Sequence, residues 1–180
     1  MTLRELITYC KKGRTKAQRA LFDLTCDQLK SVAMRYVVDS SAAEDVLQES
    51  YIRIFKGIDQ FQYVNDAATH GWMRRITTTE ALRYLKKNRN WHRAMNDGIE
   101  MEMPTVEQDH ALFRDELFQL LMALPLNQRM VFNLAIIEGY SHKEIAEQLG
   151  IAVSSSRSLL TRARALLQSR IIKNDSYANV

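Results

Sequence analysis

The chain of 180 residues contains few residues that interrupt helices, since it has only six glycines and two prolines. This scarcity favours long helices. No segment shows the alternation of apolar and polar residues that is typical of a half-buried strand, and no hairpin signal is present. We therefore predict an all-α protein.

The sequence also lacks the features of membrane-spanning and secreted proteins. It has no run of eighteen apolar residues, and its N-terminal segment lacks the apolar core and cleavage site of a signal peptide. Its two cysteines, Cys10 and Cys26, form no CxxC pair and indicate a reducing compartment. We expect a cytoplasmic protein without membrane insertion.

No catalytic constellation is present, because the sequence contains no HExxH, GxxxxGK[ST], GxGxxG or GxSxG motif. The histidines are scattered and have no partner at metal-ligand spacing. We predict no catalytic residue, no metal site and no cofactor. The four histidines are His70, His92, His110 and His142.

The net charge of +4 is unevenly distributed along the chain. Thr69–Arg93 contains seven basic residues and one acid, Glu80, whereas Ala94–Gln119 contains seven acids and one base. Ser154–Lys173 contains five basic residues and no acid. The two basic segments favour a nucleic-acid partner, and the acidic segment between them is predicted to be a linker.

A helix-turn-helix is predicted near the C-terminus. Ser141 and Glu144 have the spacing of a capping box, so a helix should begin at His142. Gly150 is suited to the end of that helix, and a second helix should begin at about Ser154. Its polar side carries arginines that can bind guanine and hydroxyls that can bind either base-edge donors or acceptors. These polar residues are Ser155, Arg157, Ser158, Thr161, Arg162 and Arg164. The alternative is a surface helix with a solvated basic face.

A second polar face is predicted in the N-terminal half. Ser41 and Glu44 suggest another capping box, which would start a helix after residues 39–41. Four polar residues then recur at i, i+3, i+4 and i+8, so they should share one exposed face. They are Asp45, Gln48, Glu49 and Arg53. Simple solvation of this face is the alternative.

A polar loop is predicted over Asp59–Thr69, followed by a basic helix over His70–Arg89. Phe61 and Tyr63 in the loop can be core anchors or stacking platforms for unpaired bases. An apolar stripe of the basic helix is predicted from Trp72, Ile76, Leu82 and Leu85.

Four segments together resemble the extracytoplasmic function (ECF) group of bacterial RNA polymerase sigma factors: Ala43–Phe55, Gly71–Lys87, Leu121–Ile151 and Ser156–Leu167. This group keeps only the second and fourth sigma domains. The resemblance implies two small helical domains, a sigma domain 2-like bundle at 1–92 and a sigma domain 4-like helix-turn-helix bundle at 109–180. A flexible acidic linker at 93–108 would join them.

The resemblance assigns Asp45, Gln48, Glu49 and Arg53 to binding of the polymerase core. It implies that the loop and the basic helix recognise the minus-ten element, where a flipped base is captured. The chain departs from the family at Thr79 and Arg83, where Asn and Asp are frequent. The implied minus-ten residues are Phe61, Tyr63, Asn65, Trp72, Arg74, Arg75, Thr79, Arg83, Lys86 and Lys87.

The helix-turn-helix would recognise the minus-thirty-five element. The expected partners are polymerase core, through its β′ clamp helices and β flap, promoter DNA and an anti-sigma factor. The implied minus-thirty-five residues are Ser141, His142, Lys143, Ser155, Arg157, Ser158, Thr161 and Arg162.

Two other functions stay open at this point. One is a stand-alone helix-turn-helix transcriptional regulator that binds duplex DNA as a dimer, although no clear dimerisation helix or sensor domain is found. The other is a helical adaptor whose basic faces bind RNA or an acidic protein. Both leave the polar face at Asp45 unexplained.

Overall fold

A computed structural model describes residues 1–98 and 116–178 of the chain, and every regular element within them is helical. The prediction of an all-α, two-domain protein is confirmed. No described helix is long and apolar enough to cross a membrane. The α-helices are α1 (Leu3–Lys11), α2 (Thr15–Val37), α3 (Ser40–Gly57), α4 (Asp66–Lys86), α5 (Trp91–Asp97), α6 (Glu116–Met122), α7 (Leu126–Phe132), α8 (His142–Leu149) and α9 (Val153–Ala178), with a π-helical turn at Asn133–Ile137.

The chain divides into two compact units, Met1–Lys86 and Lys87–Val180. The first contains α1 to α4, and the second contains α5 to α9. Helix α5 belongs to the second unit and packs against α7, so the expected domain boundary at residue 92 falls within a helix.

Helix α5 also occupies residues 93–97 of the predicted linker. Trp91, Ala94 and Met95 have the i, i+3, i+4 spacing of one helical face, and all three are buried. Burial of this face explains why the segment is helical despite its position beside a run of acids. The rest of the predicted linker, 99–108, lies outside the described residues.

Helix α3 begins one residue earlier than its predicted cap. The Asp39 carboxylate accepts a hydrogen bond of 2.7 Å from the Ala42 amide, so the expected Ser41–Glu44 capping box is wrong. A carboxylate is favoured here because it interacts with the positive end of the helix dipole. Glu44 instead binds Lys30 of α2, with 2.8 Å between its oxygen and the ammonium.

Helix α4 also begins earlier than predicted, at Asp66 rather than His70. The Asn65 side-chain oxygen accepts a hydrogen bond of 2.7 Å from the Ala68 amide and so supports this start. The buried face differs as well. Leu82 and Leu85 are buried as expected, but Trp72 and Ile76 are only half-buried.

Met73, Thr77, Thr78 and Ala81 complete the buried face of α4. The Thr77 hydroxyl donates to the Met73 carbonyl one turn earlier, at 3.2 Å. This bond satisfies the hydroxyl within the helix, which allows a polar residue to lie in the core.

Tyr51 joins α3 to α2 through a buried hydroxyl. Its ring packs 4.7 Å from that of Phe22, and its oxygen lies 2.7 Å from the Thr25 hydroxyl. Since Thr25 gives its only proton to the Leu21 carbonyl, Tyr51 is the donor to Thr25. Burial raises the pKa of Tyr51 to about 12.

A buried arginine connects α7 to the end of α6. Arg129 is 5% exposed, and its guanidinium donates to the Met122 carbonyl at 3.3 Å. Burial lowers the pKa of Arg129 to about 10. After Phe132 the helix widens into the π-helical turn, where the Glu138 amide donates to the Asn133 carbonyl at 3.0 Å.

The predicted start and end of α8 are confirmed. The Ser141 hydroxyl accepts from the Glu144 amide at 3.3 Å, and the Glu144 carboxylate accepts from the Ser141 amide at 2.8 Å. Gly150 has φ +71°, a conformation that disfavours residues with a Cβ, and it ends the helix. His142 Nδ1 lies 2.9 Å from the hydroxyl of buried Ser156, which links α8 to α9.

We expect Tyr51→Phe to lower the free energy of unfolding by about 1 kcal/mol, because the buried hydrogen bond to Thr25 is lost.

The raised pKa of Tyr51 means that the folded chain holds the phenolic proton more tightly than the unfolded chain. The resulting stabilisation is complete below pH 10 and is lost as the pH rises towards about 12. Urea denaturation across this range should show a steeper loss for the unmodified chain. Equal slopes would contradict the assignment.

We expect His142→Ala to lower the free energy of unfolding by about 1–3 kcal/mol, since the buried Ser156 hydroxyl loses its partner. The control is the same change in a Ser156→Ala background, where no hydroxyl is left without a partner. Its cost should be clearly smaller in that background. Chemical denaturation followed by circular dichroism measures both, and equal costs would show that the bond contributes nothing.

Candidate functional site

Helix α3 carries a polar face whose members are all exposed. Asp45, Gln48 and Glu49 lie on one side of the helix, as their spacing predicts. Ile52 continues this row one turn later and is 44% exposed. The face therefore has an apolar side chain next to its carboxylates, a feature that the polar pattern alone does not reveal.

Arg53 lies at the edge of this face and contacts α4. Its Nε atom is 3.7 Å from the Glu80 carboxylate, which also accepts a hydrogen bond of 2.7 Å from Arg83. Arg53 and Arg83 were assigned from sequence to two different surfaces. The structure brings both to one carboxylate, beside a surface cleft of about 320 Å³.

The two loop aromatics are half-buried and pack on the core of the first unit. Phe61 stacks on Trp72 of α4, with 4.3 Å between ring centroids and 19° between ring planes. The Tyr63 hydroxyl donates to the Asp66 carboxylate at 2.7 Å, and this bond raises the pKa of Tyr63. This packing supports the interpretation of the two aromatics as core anchors, and their stacking with unpaired bases stays a prediction.

Helix α4 brings most of its predicted residues onto one face. Trp72, Arg75, Thr79, Arg83 and Lys86 recur at the spacing of a single helical stripe. The last four are exposed, and Trp72 places the Phe61 stack at the start of the stripe.

Three predicted residues lie apart from this stripe. Arg74 is half-buried and, by its position in the helix, is on another side. Lys87 follows the last residue of α4. Asn65 uses its side-chain oxygen at the start of α4, so its role in the structure is that of a helix cap.

The second unit exposes the predicted face of α9. The buried side of the helix contains Ser156, Leu160, Ala163 and Leu167. The Thr161 hydroxyl donates to the Arg157 carbonyl at 3.1 Å, which leaves its oxygen and methyl group at the surface. All five predicted residues are exposed: Ser155, Arg157, Ser158, Thr161 and Arg162.

The three residues predicted at the start of α8 differ in their surroundings. Lys143 is exposed. The Ser141 side chain is engaged in the capping box, and His142 is half-buried against Ser156. The spacing in the sequence correctly identified the cap, but it gave no signal for the link between α8 and α9.

A polar cleft of about 450 Å³ lies along one side of the exposed α9 face. Ser155, Ser158 and Arg162 line it from α9, and Asn96 and Asp97 line it from the end of α5. Sequence reasoning missed this cleft because α5 was assigned to a domain end and a linker.

Within the described residues, no group of three histidine, cysteine or carboxylate side chains is arranged to hold a metal ion.

Two models of known families match the chain. The model of Sigma-70 region 2 matches residues 21–90, and that of Sigma-70, region 4 matches residues 114–167.

Individual relatives cover most of the chain. It is 28% identical over 184 aligned residues to the ECF RNA polymerase sigma-E factor of Escherichia coli (strain K12), with 95% of each chain covered. It is 32% identical over 157 residues to the ECF RNA polymerase sigma factor SigE of Mycolicibacterium smegmatis, covering 83% of this chain and 60% of that protein.

Two solved structures share the fold. CnrH in complex with the cytosolic domain of CnrY aligns with TM-score 0.52 and 22% identity over 94% of this chain and 97% of that chain. The sigma factor RpoE of Bartonella quintana, in complex with the anti-sigma factor NepR, aligns with TM-score 0.51 and 23% identity over 84% and 94%. Since the matched regions 2 and 4 together span most of the sequence, and the relatives that cover it are ECF proteins, the chain belongs to the ECF group of sigma-70 factors.

Proposed function

We propose that this sigma factor binds RNA polymerase core, directs it to promoters and helps to open the DNA strands there. The observation that carries the proposal is the exposed row on α9. Helix α8, with its capping box and its end at Gly150, packs against α9. In a helix-turn-helix, such a row enters the major groove and contacts base edges. The polymerase supplies the catalysis, and the chain has no catalytic activity of its own.

The polar face of α3 is proposed to bind the β′ clamp helices of the polymerase. Asp45, Gln48 and Glu49 offer acceptors and charge, and exposed Ile52 offers apolar area beside them. Protein interfaces commonly have an apolar centre with a polar rim. Single exposed apolar residues are common on protein surfaces, so the assignment rests on the carboxylates and the amide of this face.

The stripe on α4 and the loop before it are proposed to bind the minus-ten element. Arg75, Arg83 and Lys86 supply positive charge for the DNA backbone. Phe61 and Trp72 supply aromatic surface at the N-terminal end of the stripe. Unstacking one base costs a few kcal/mol, and stacking on an aromatic ring returns about 1–3 kcal/mol.

The exposed row on α9 is proposed to read the minus-thirty-five element. Arg157 and Arg162 can each form paired hydrogen bonds with guanine. Ser155, Ser158 and Thr161 are small, which allows the helix to approach the bases closely. Lys143 at the start of α8 is suited to a phosphate. The β flap of the polymerase is the proposed protein partner of this domain.

The proposal assigns core and minus-ten binding to the first unit, Met1–Lys86, and minus-thirty-five binding to the helix-turn-helix of the second unit. It also includes an anti-sigma partner, since both solved structures named above are complexes and one contains an anti-sigma factor. A cytoplasmic location follows from partnership with polymerase.

Binding to bacterial core polymerase, followed by transcription from genomic fragments, tests the proposal. Core binding with new transcripts that start at discrete sites is the expected result. The second candidate, a stand-alone regulator, would not bind polymerase core and would bind duplex DNA by itself. The exposed α3 face argues against it, because such a regulator has no use for that face.

We expect charge reversal at Asp45 or Glu49 to abolish core binding at sub-micromolar polymerase, because each exposed carboxylate would become a repelling cation. Asp27→Lys on α2 is the matched control, since it reverses another exposed carboxylate of the same unit. Fluorescence anisotropy with labelled chain measures affinity, and circular dichroism checks folding. Unchanged affinity in both α3 variants would refute the assigned face.

We expect Arg157→Ala and Arg162→Ala each to weaken binding to the chain's own promoter class by about 1–3 kcal/mol, the usual size of a good base contact. Arg93→Ala, which removes an exposed arginine of the same unit on α5 and outside the helix-turn-helix, is the control. Holoenzyme binding to specific and unrelated promoter fragments gives the comparison. An equal loss on all sequences would instead identify phosphate contacts.

A further inference from the structure

Glu80 is an unusual residue for its position. It is the sole acid among the seven basic residues of Thr69–Arg93, and it is only 8% exposed. Most acids of this chain could be solvated without cost at the surface, but a buried carboxylate requires compensation by hydrogen bonds or opposite charge. Its partners therefore indicate why it is there.

Both ionic partners of Glu80 contact the same oxygen atom. Arg83 Nη1 lies 2.7 Å from Oε1, and Arg53 Nε lies 3.7 Å from it. Arg83 is one turn later on α4, whereas Arg53 is on the neighbouring helix α3. One carboxylate oxygen thus joins two helices through two guanidinium groups.

The two arginines extend from this anchor to the surface. Their side chains are 52% and 53% exposed, whereas that of Glu80 is 9% exposed. An exposed arginine has many rotamers, and holding it in one geometry has an entropic cost at the moment of binding. A buried carboxylate that fixes the guanidinium beforehand removes part of that cost.

The anchored groups lie at the edges of two different surfaces. Arg53 is beside the α3 face of Asp45, Gln48 and Glu49, and Arg83 belongs to the α4 stripe. The surface cleft between the two helices is lined by both arginines and by Glu80. No other described acid lines that cleft.

We propose that Glu80 is a positioning residue that holds Arg53 for the polymerase partner and Arg83 for promoter DNA, so that the two surfaces share one anchor. This inference rests on the proposed function of the two faces.

The test is a pair of double-mutant cycles with Glu80→Gln, which keeps the size of the side chain and removes its charge. We expect Glu80→Gln and Arg53→Met each to weaken core binding about fivefold. The double variant should bind core at most about twofold more weakly than either single variant. The second cycle combines Glu80→Gln with Arg83→Met and measures promoter opening by saturating holoenzyme. Each single variant should weaken opening, and the double variant should be little weaker than either.

Residues of one ion-pair network are also coupled in stability, so the free energy of unfolding of each variant is measured by chemical denaturation. A purely structural role would lower that free energy in parallel with the affinity, whereas a positioning role lowers the affinity of a chain that stays folded. Asp23→Asn is the matched control, because it removes an ion pair on α2 of the same unit and lies outside both proposed faces. It should leave core binding and promoter opening unchanged. Glu80→Asp keeps the charge and should restore part of the affinity that Glu80→Gln loses. Equal loss in Asp and Gln variants would overturn the proposal.

The outcomes also separate this inference from the proposed function. If Glu80→Gln and Arg53→Met weaken core binding additively, Glu80 is not the anchor of Arg53, although the polymerase-binding face stands. If Arg53→Met has no effect while charge reversal at Asp45 abolishes binding, the anchor proposal fails alone. If charge reversal at Asp45 and Glu49 has no effect either, the face itself is wrong.

Discussion

The hydrogen bonds that cap the helix starts stabilise the helices on which the functional surfaces lie. Side-chain oxygens of Asp39, Asn65 and Ser141 accept amide hydrogen bonds at the starts of α3, α4 and α8. They satisfy amides that have no partner within the helix. Successive residues of an α-helix point about 100° apart, so the spacing of the residues then decides which side chains share a face.

The helix-turn-helix could be predicted in detail because its signals are local. Ser141, Glu144 and Gly150 act on the backbone within a few residues of themselves, and all three behave as their spacing predicts. The start of α3 was misassigned because two residues compete for one cap. Asp39 is the cap, since its carboxylate interacts favourably with the positive end of the helix dipole. Glu44 is then available to bind Lys30.

The parts that sequence reasoning missed depend on contacts between helices. The exposure of Ile52 is decided by where α2 and α4 leave α3 uncovered. Buried Ser156 is explained by His142, fourteen positions earlier in the sequence. Helix α5 is explained by the face that it buries in the second unit. The residue pattern within one helix does not show which other helices pack against it, so such residues cannot be identified before the packing is known.

The departure at Arg83 illustrates how packing reconciles an unexpected residue with its surroundings. Many family members have Asp at this position, and an arginine there adds a positive charge close to Arg53 of the next helix. Two neighbouring guanidinium groups repel each other unless an anion lies between them. Glu80, one turn before Arg83, places its carboxylate at that point and is sheltered from water, which strengthens both attractions. The carboxylate is therefore retained between the two helices, while the outer position of α4 gains a cation that can face DNA.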